Sequence, residues 1–250
     1  MVEDPRFDFD ALFDEDYLYF YRTFITPERS DEQAKLIWRL LELEPGMAVL
    51  DLACGDGRIA NRLAGWGCQV TGLDRSQVLL EEARTSADSM NVSVEYRQGD
   101  MREIPWRERF DRIVNWFTSF GYFSDHDNRT VLLQAYGALK SGGRLLLEHQ
   151  NRDYILRNLQ RHIVLEHPDD PDSFLIDRVN YDIATGRTET DRTTIRAGRT
   201  RKMHFSIRLF TFPELRDWLL AAGFSKVDGF DQEGKTLGLD SRRIIAVGFR

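Results

Sequence analysis

The 250 residues carry 34 lysines and arginines against 41 aspartates and glutamates, a formal net charge of −7. That balance argues against a phosphate-backbone binder, which needs a basic face, so nucleic acid is not an expected partner. The length suits one large α/β domain with an insertion better than two full domains, and a hydrophobic content of 42% is enough for a sizeable core.

The first residues, Met1-Val2-Glu3-Asp4-Pro5, show neither the basic nor the apolar region of a signal peptide. No apolar run reaches the roughly 18 residues of a membrane-spanning helix, so no membrane partner is expected. Cys54 and Cys68 flank segments that read as buried, which suits two reduced thiols in a cytoplasmic protein.

In chain order, Tyr17, Tyr19 and Tyr21 fall in a short helical segment. Ser30-Asp31-Glu32-Gln33 reads as a capping box with Ser30 at the N-cap, and Ala34, Ile37, Trp38 and Leu41 follow at helical spacing. Pro45-Gly46 stops that helix and closes an N-terminal helical cap over 1–45. Strands are then expected over 47–52, 69–73, 93–97, 110–116 and 144–149. Helices over 58–65, from Ser76 to about 86, and over 127–139 separate them. Apolar strands alternating with helices predict a parallel sheet covered on both faces.

After 150 the pattern changes. Residues 151–168 look helical and polar, and His162-x-x-x-Glu166-His167 there reads as a solvated helix rather than a metal site, so no metal is expected. Ala184-Thr185-Gly186 and Ala197-Gly198-Arg199 break strand-like stretches, predicting an antiparallel hairpin or three-stranded sheet. We take 151–212 as an inserted antiparallel β lid that encloses an acceptor. Thr211-Phe212-Pro213-Glu214 starts a helix ending at Gly223, and strands over 226–230 and 243–249 should pair antiparallel.

The segment from Val49 to Ala60 carries the chemistry. It reads strand, tight turn, helix, with Gly55 and Gly57 allowing close approach of a ligand to the backbone. Taken alone, Gly55-x-Gly57-x-x-Ala60 also matches a dinucleotide fingerprint. Asp51 argues against that, because an anion there repels a pyrophosphate and suits a ligand bearing an amine and a sulfonium. Asp74 ends the second strand, where a carboxylate can accept ribose hydroxyls, and Asp100 follows the third in Gly99-Asp100-Met101. Three acids at three strand ends share the sheet edge where α/β ligands bind.

These residues resemble those of class I S-adenosylmethionine-dependent methyltransferases, over nearly the whole chain. More narrowly, the chain is similar to the small-molecule branch holding glycine N-methyltransferase and the amino-sugar N,N-dimethyltransferases. The resemblance rests on 50–57, Gly72-Leu73-Asp74-Arg75-Ser76, 98–102, 115–122 and 139–143. It implies a Rossmann-like, mostly parallel seven-stranded sheet over 46–150 and 213–250, with helices on both faces, the last strand pair antiparallel and the β lid added. It implies S-adenosylmethionine as cofactor and methyl transfer to nitrogen, oxygen or carbon of a small molecule, as in natural-product tailoring. Asp51, Ala53, Gly55 and Gly57 would serve the methionine part, Asp74 the ribose, Asp100 and Met101 the adenine, with Arg75 also at the cofactor. Asn115 or Trp116 would touch the methionine amine, with Tyr17 and Tyr21 closing over the cofactor.

Bases in nucleic acids are unexpected acceptors, because the Pro-Pro-aromatic that follows the fourth strand in such enzymes is replaced by Asn115-Trp116-Phe117-Thr118. His149 ends the fifth strand and is either a general base or a structural histidine. His204, Ser206 and Arg208 share one face of a strand that either lines the substrate mouth or meets water. Tyr21 and Trp116 either wall the substrate pocket or belong to the core. A non-catalytic S-adenosylmethionine-binding protein and a nicotinamide dehydrogenase stand as rival functions, and monomer and homodimer are equally open.

Overall fold

The computed structural model describes residues 8–250; the residues read for a leader, Met1 to Pro5, and the start of the 1–45 cap lie outside them. Two short helices, α1 (Phe9–Leu12) and α2 (Glu15–Tyr21), precede the long α3 (Pro27–Leu41). Asp14 caps α2 by accepting from the Asp16 and Tyr17 amides. Then follow β1 (Ala48–Leu52), α4 (Ala60–Gly65), β2 (Gln69–Asp74), α5 (Gln77–Ser89), β3 (Glu95–Gln98), β4 (Phe110–Asn115), α6 (Asp125–Ala138) and β5 (Leu139–Gln150). A second group comprises α7 (Arg152–Arg157), β6 (His162–His167), β7 (Asp170–Asp182), β8 (Arg187–Arg196) and β9 (Arg199–Arg208). The chain returns through α8 (Phe212–Ala221), β10 (Lys226–Phe230) and β11 (Arg243–Phe249).

The main sheet has seven strands in the order β10-β11-β5-β4-β1-β2-β3. The five strands from β3 to β5 run parallel; β11 pairs antiparallel with β10, as expected from their short connection, and also antiparallel with β5. Alternation along β1 sends Leu50 and Leu52 into one core, with α6 and α8, and Val49 into the other, with α3 and α4. The strand order reverses between β1 and β4, so the ends of those two strands open a crevice.

Three local expectations need correction. Ser30 is not an N-cap: α3 starts a turn earlier, with Thr26 capping the Arg29 amide and Pro27 in the first turn. Proline there has no amide to lose and its fixed φ favours helix, so that start prevails, while Ser30 donates to the Thr26 carbonyl at 3.0 Å. The helix expected over 58–65 begins only at Ala60. Residues 151–168 hold only the short α7; 162–167 is a strand, in which Ile163 and Leu165 alternate with exposed His162, Val164 and Glu166. The spacing of His162, Glu166 and His167 therefore has no helical meaning, and among the described residues no group of three or more His, Cys, Asp or Glu could hold a metal ion.

The second sheet has four antiparallel strands, β6-β7-β8-β9, one more than the larger of the two expected arrangements. Its turns fall where the glycines stood: Gly186 has φ +71°, and Ala197 and Gly198, both at positive φ, form a two-residue hairpin loop. Its apolar side, including Phe205 and Ile207, packs on Leu12 and Phe13 of the N-terminal segment. Among the described residues no helix is long and apolar enough to cross a membrane.

Candidate active site

A cavity of about 610 Å³ lies between the crevice, α2 and the inner face of the second sheet. That size suits a cofactor or drug-sized ligand. Its floor is the turn after β1. Ala53 and Gly55 have φ near +60° and line the wall; a Cβ on Gly55 would meet nothing nearer than Leu79 at 3.9 Å. The turn is laced to the end of β2: the Ala53 and Cys54 amides donate to the Leu73 carbonyl, and the Gly55 amide donates to Asp74 Oδ2 at 2.7 Å. Asp74 Oδ1 also accepts the Ser76 amide at 2.9 Å, and Ser76 caps α5.

Asp51 is the polar anomaly of this floor. It is 2% exposed, lines the cavity, and its Oδ2 has no hydrogen-bond partner. Burial pushes its carboxyl up to about 7, opposed by the nearby Arg58 guanidinium. A buried carboxylate oxygen without a partner is costly, and a ligand ammonium would remove that cost. Burial also raises the neighbouring Asp56 and Asp74. Arg58 donates to Gln33 on α3 at 2.6 Å, and Gln33 accepts from Trp116 Nε1 at 3.1 Å, which fixes the indole on the cavity wall.

Arg75, Asp100 and Met101 line the far end. Although burial pushes the Asp100 carboxyl up, Arg102 forks over both its oxygens at 2.8–3.2 Å and holds it below its usual range. Tyr17 and Tyr21 both face the cavity, their rings stacked at 4.2 Å.

Five expected site residues stand elsewhere. Gly57, φ +73°, is not on the cavity wall; a Cβ there would lie 2.1 Å from the Tyr96 hydroxyl, so packing against Tyr96 and Ala83 demands the glycine. Asn115 points into the sheet, donating to the Leu52 carbonyl at 2.9 Å, and only Trp116 of that pair reaches the cavity. His149 is fully buried off the cavity, because alternation along β5 puts Gln150 on the cavity wall and His149 on the opposite face. Its ring nitrogens meet the Gln150 and Phe120 carbonyls at 2.9 and 3.1 Å, and burial lowers its pKa to about 4. That position is away from the cavity where the sequence reading had offered it as a base. His204 is exposed, between Asp191 and Glu189. Arg208 is buried against Glu214 and the Leu209 carbonyl, away from the cavity.

On β9 it is Phe205 and Ile207, the apolar side, that face the cavity. Opposite them stand Asp177, Thr188, Thr190 and Arg192, which the residue-type reading missed. Thr188, Thr190 and Arg192 alternate along β8, a period-two signal that locates one face without saying what it faces. A second missed feature is the turn after β4, where both Phe117 and Thr118 have positive φ.

The stretch of residues 49–143 matches the family described as "Methyltransferase domain". The fold around it is that of S-adenosylmethionine-dependent methyltransferases. The structure of an S-adenosylmethionine-dependent methyltransferase from Clostridium acetobutylicum superposes with a TM-score of 0.77, at 19% identity, over 93% of this chain and 97% of that one. The sugar N-methyltransferase of Streptoalloteichus gives 0.71 at 21% identity, over 94% and 92%. In sequence, the glycine/sarcosine N-methyltransferase of Parasynechococcus marenigrum is 30% identical over 131 residues, 51% of this chain and 46% of its own. The chain spans about half the length of the curated relatives it matches.

Proposed function

We propose that this protein transfers the methyl group of S-adenosylmethionine to a small-molecule acceptor held beneath the second sheet, which acts as its lid. The observation that carries the reading is the partnerless Asp51 Oδ2, set beside an open glycine turn in a cavity that continues to the lid. Asp51 takes the methionine ammonium, and Asp74 keeps acceptor capacity for ribose hydroxyls while its two bonded amides hold the turn in shape. The adenine lies toward Met101, with Asp100 braced by Arg102. Bound there, the cofactor supplies a methyl group already activated on a sulfonium.

The protein's own contribution is alignment and exclusion of water. Tyr17 and Tyr21 cover the transfer point, Phe117 and Trp116 wall it, and the lid supplies Phe205 and Ile207. With His149 out of reach, no imidazole among the described residues lines the cavity. The reading thus favours acceptors that lose their proton to solvent or arrive already nucleophilic. Titration calorimetry with S-adenosylhomocysteine and with a nicotinamide dinucleotide tests the cofactor assignment. Heat only from the dinucleotide would sink it, and methyl release to no member of a broad acceptor library would leave a non-catalytic binder.

A further inference from the structure

The lid carries a buried ion pair inside the cavity. Arg192 on β8 stands opposite Asp177 on β7 in the strand register and forks over its carboxylate, Nε to Oδ1 at 2.8 Å and Nη2 to Oδ2 at 2.7 Å. The side chains are 6% and 10% exposed. Nη2 also donates to the Tyr21 hydroxyl at 3.1 Å, which leaves the Tyr21 O–H proton free to donate. Among the described residues Nη1 has no hydrogen-bond partner.

A buried pair of this kind adds little net stability over apolar packing. Its effect on a ligand is large. Asp177 cancels the Arg192 charge, so this end of the cavity presents directed N–H and O–H donors but no net charge. Arg243, over the Phe117 ring, is matched by Glu148, which accepts from its Nη2 at 2.8 Å, and Arg58, over the same ring, is set against Asp56 and Asp51. The remaining walls are uncharged: Phe117, Val179, Phe205 and Ile207 are aromatic or aliphatic, and Thr188, Thr190 and Gln150 are neutral polar groups. The acids Asp51, Asp56 and Asp74, with the partnerless Asp51 Oδ2, belong to the cofactor end. An ammonium or carboxylate brought under the lid would be desolvated without a counter-ion, at a cost larger than any hydrogen bond returns.

Resting on the methyltransferase reading, we propose that the acceptor is an uncharged ring compound bearing a hydrogen-bond-accepting oxygen, held by Arg192 Nη1 and the Tyr21 hydroxyl. Amino acids and other permanently charged small molecules are excluded as acceptors by the matched Arg192–Asp177 pair.

Three probes of one shape test this: 2-naphthol, 2-naphthoate and 2-naphthylmethylamine, titrated at neutral pH into protein saturated with S-adenosylhomocysteine. The neutral naphthol should bind at least tenfold more tightly than either ion. Unmatching the pair should invert the order: Asp177→Asn leaves a lone cation, so naphthoate overtakes, and Arg192→Gln leaves a lone anion, so the amine overtakes. Should either variant fail to fold by circular dichroism, the wild-type order decides. An ion binding tightest to the wild type, no probe binding at all, or an order unchanged in both folded variants overturns the proposal. Absence of S-adenosylhomocysteine heat in the first titration is a different failure, that of the methyltransferase reading itself.

Discussion

The backbone N–H of Thr118 donates to the Glu148 carboxylate at 3.1 Å, and this bond pins a turn in which two successive non-glycine residues have positive φ. Arg243 completes the clamp, bonding Glu148 through Nε and Nη2 and donating to Thr118 Oγ1 at 2.6 Å. Left-handed residues of this kind cost about 1–3 kcal/mol each and persist only where the surroundings enforce them. Phe117, carried on the turn, is a wall of the cavity. Glu148→Ala should therefore cost about 3 kcal/mol in denaturant unfolding, the scale of breaking a buried pair. It should also weaken S-adenosylhomocysteine binding; a variant as stable as wild type would show that the turn holds itself.

On the proposed function, Asp51 links cofactor binding to pH. Its carboxyl, raised to about 7 by burial, must be ionised to take an ammonium. Binding therefore weakens as pH falls below about 7, tending toward tenfold per pH unit. Above about 8 the ligand's own α-amine loses its proton and affinity falls again. Asp51→Asn should weaken binding by about 2–3 kcal/mol near neutrality, the upper range for a charge-assisted bond, and abolish the acid limb. Calorimetry from pH 5 to 9 on both proteins checks this, and an identical acid limb in the two would remove Asp51 from the ammonium site.

Gly57→Val should damage the fold and not merely the ligand site. The added Cβ would sit 2.1 Å from the Tyr96 hydroxyl and 2.8 Å from Ala83 Cβ, at a backbone φ of +73°. Strain plus overpacking predicts a loss of about 3–5 kcal/mol. Thermal unfolding without ligand reads it directly. A variant of wild-type stability that lacks only cofactor binding would restore Gly57 to the site.

His149 should matter to stability and leave no mark on the pH dependence of turnover. Its folded pKa of about 4 lies below the unfolded value near 6.5, so the unfolded chain binds the extra proton. The stability it permits is full above about pH 6.5 and is lost as pH falls toward 4. Between pH 6.5 and 5 that loss is about 1.5 kcal/mol, and it should be missing from a His149→Gln variant. Denaturant melts at the two pH values test the difference. If turnover instead loses an acid limb in the variant while stability is unmoved, the histidine reaches the chemistry after all.

Much of the main sheet was legible because its strands are short apolar runs separated by helix caps and turn glycines, signals that act within a few residues. Ser76 and Thr211 cap where their side chains can reach an amide three positions on, and Ala197-Gly198 turns because a left-handed backbone suits it. The acids at successive strand ends, Asp51, Asp74 and Asp100, all line the cavity because parallel strands put their C-termini on one side. What a side chain faces is a different kind of fact. His149 and Gln150 are neighbours in sequence, yet only the stacking of layers decides that Gln150 meets the cavity and His149 the carbonyls behind it. Gly57 looks like a ligand glycine until Tyr96, 39 positions along the chain, is seen to fill the space beside it. The pairing of Arg192 with Asp177 depends on the register of β7 against β8, which period-two alternation cannot fix. Local propensity wrote the elements, while the pairing of charges on the cavity wall under the second sheet arose only when two separate strands met.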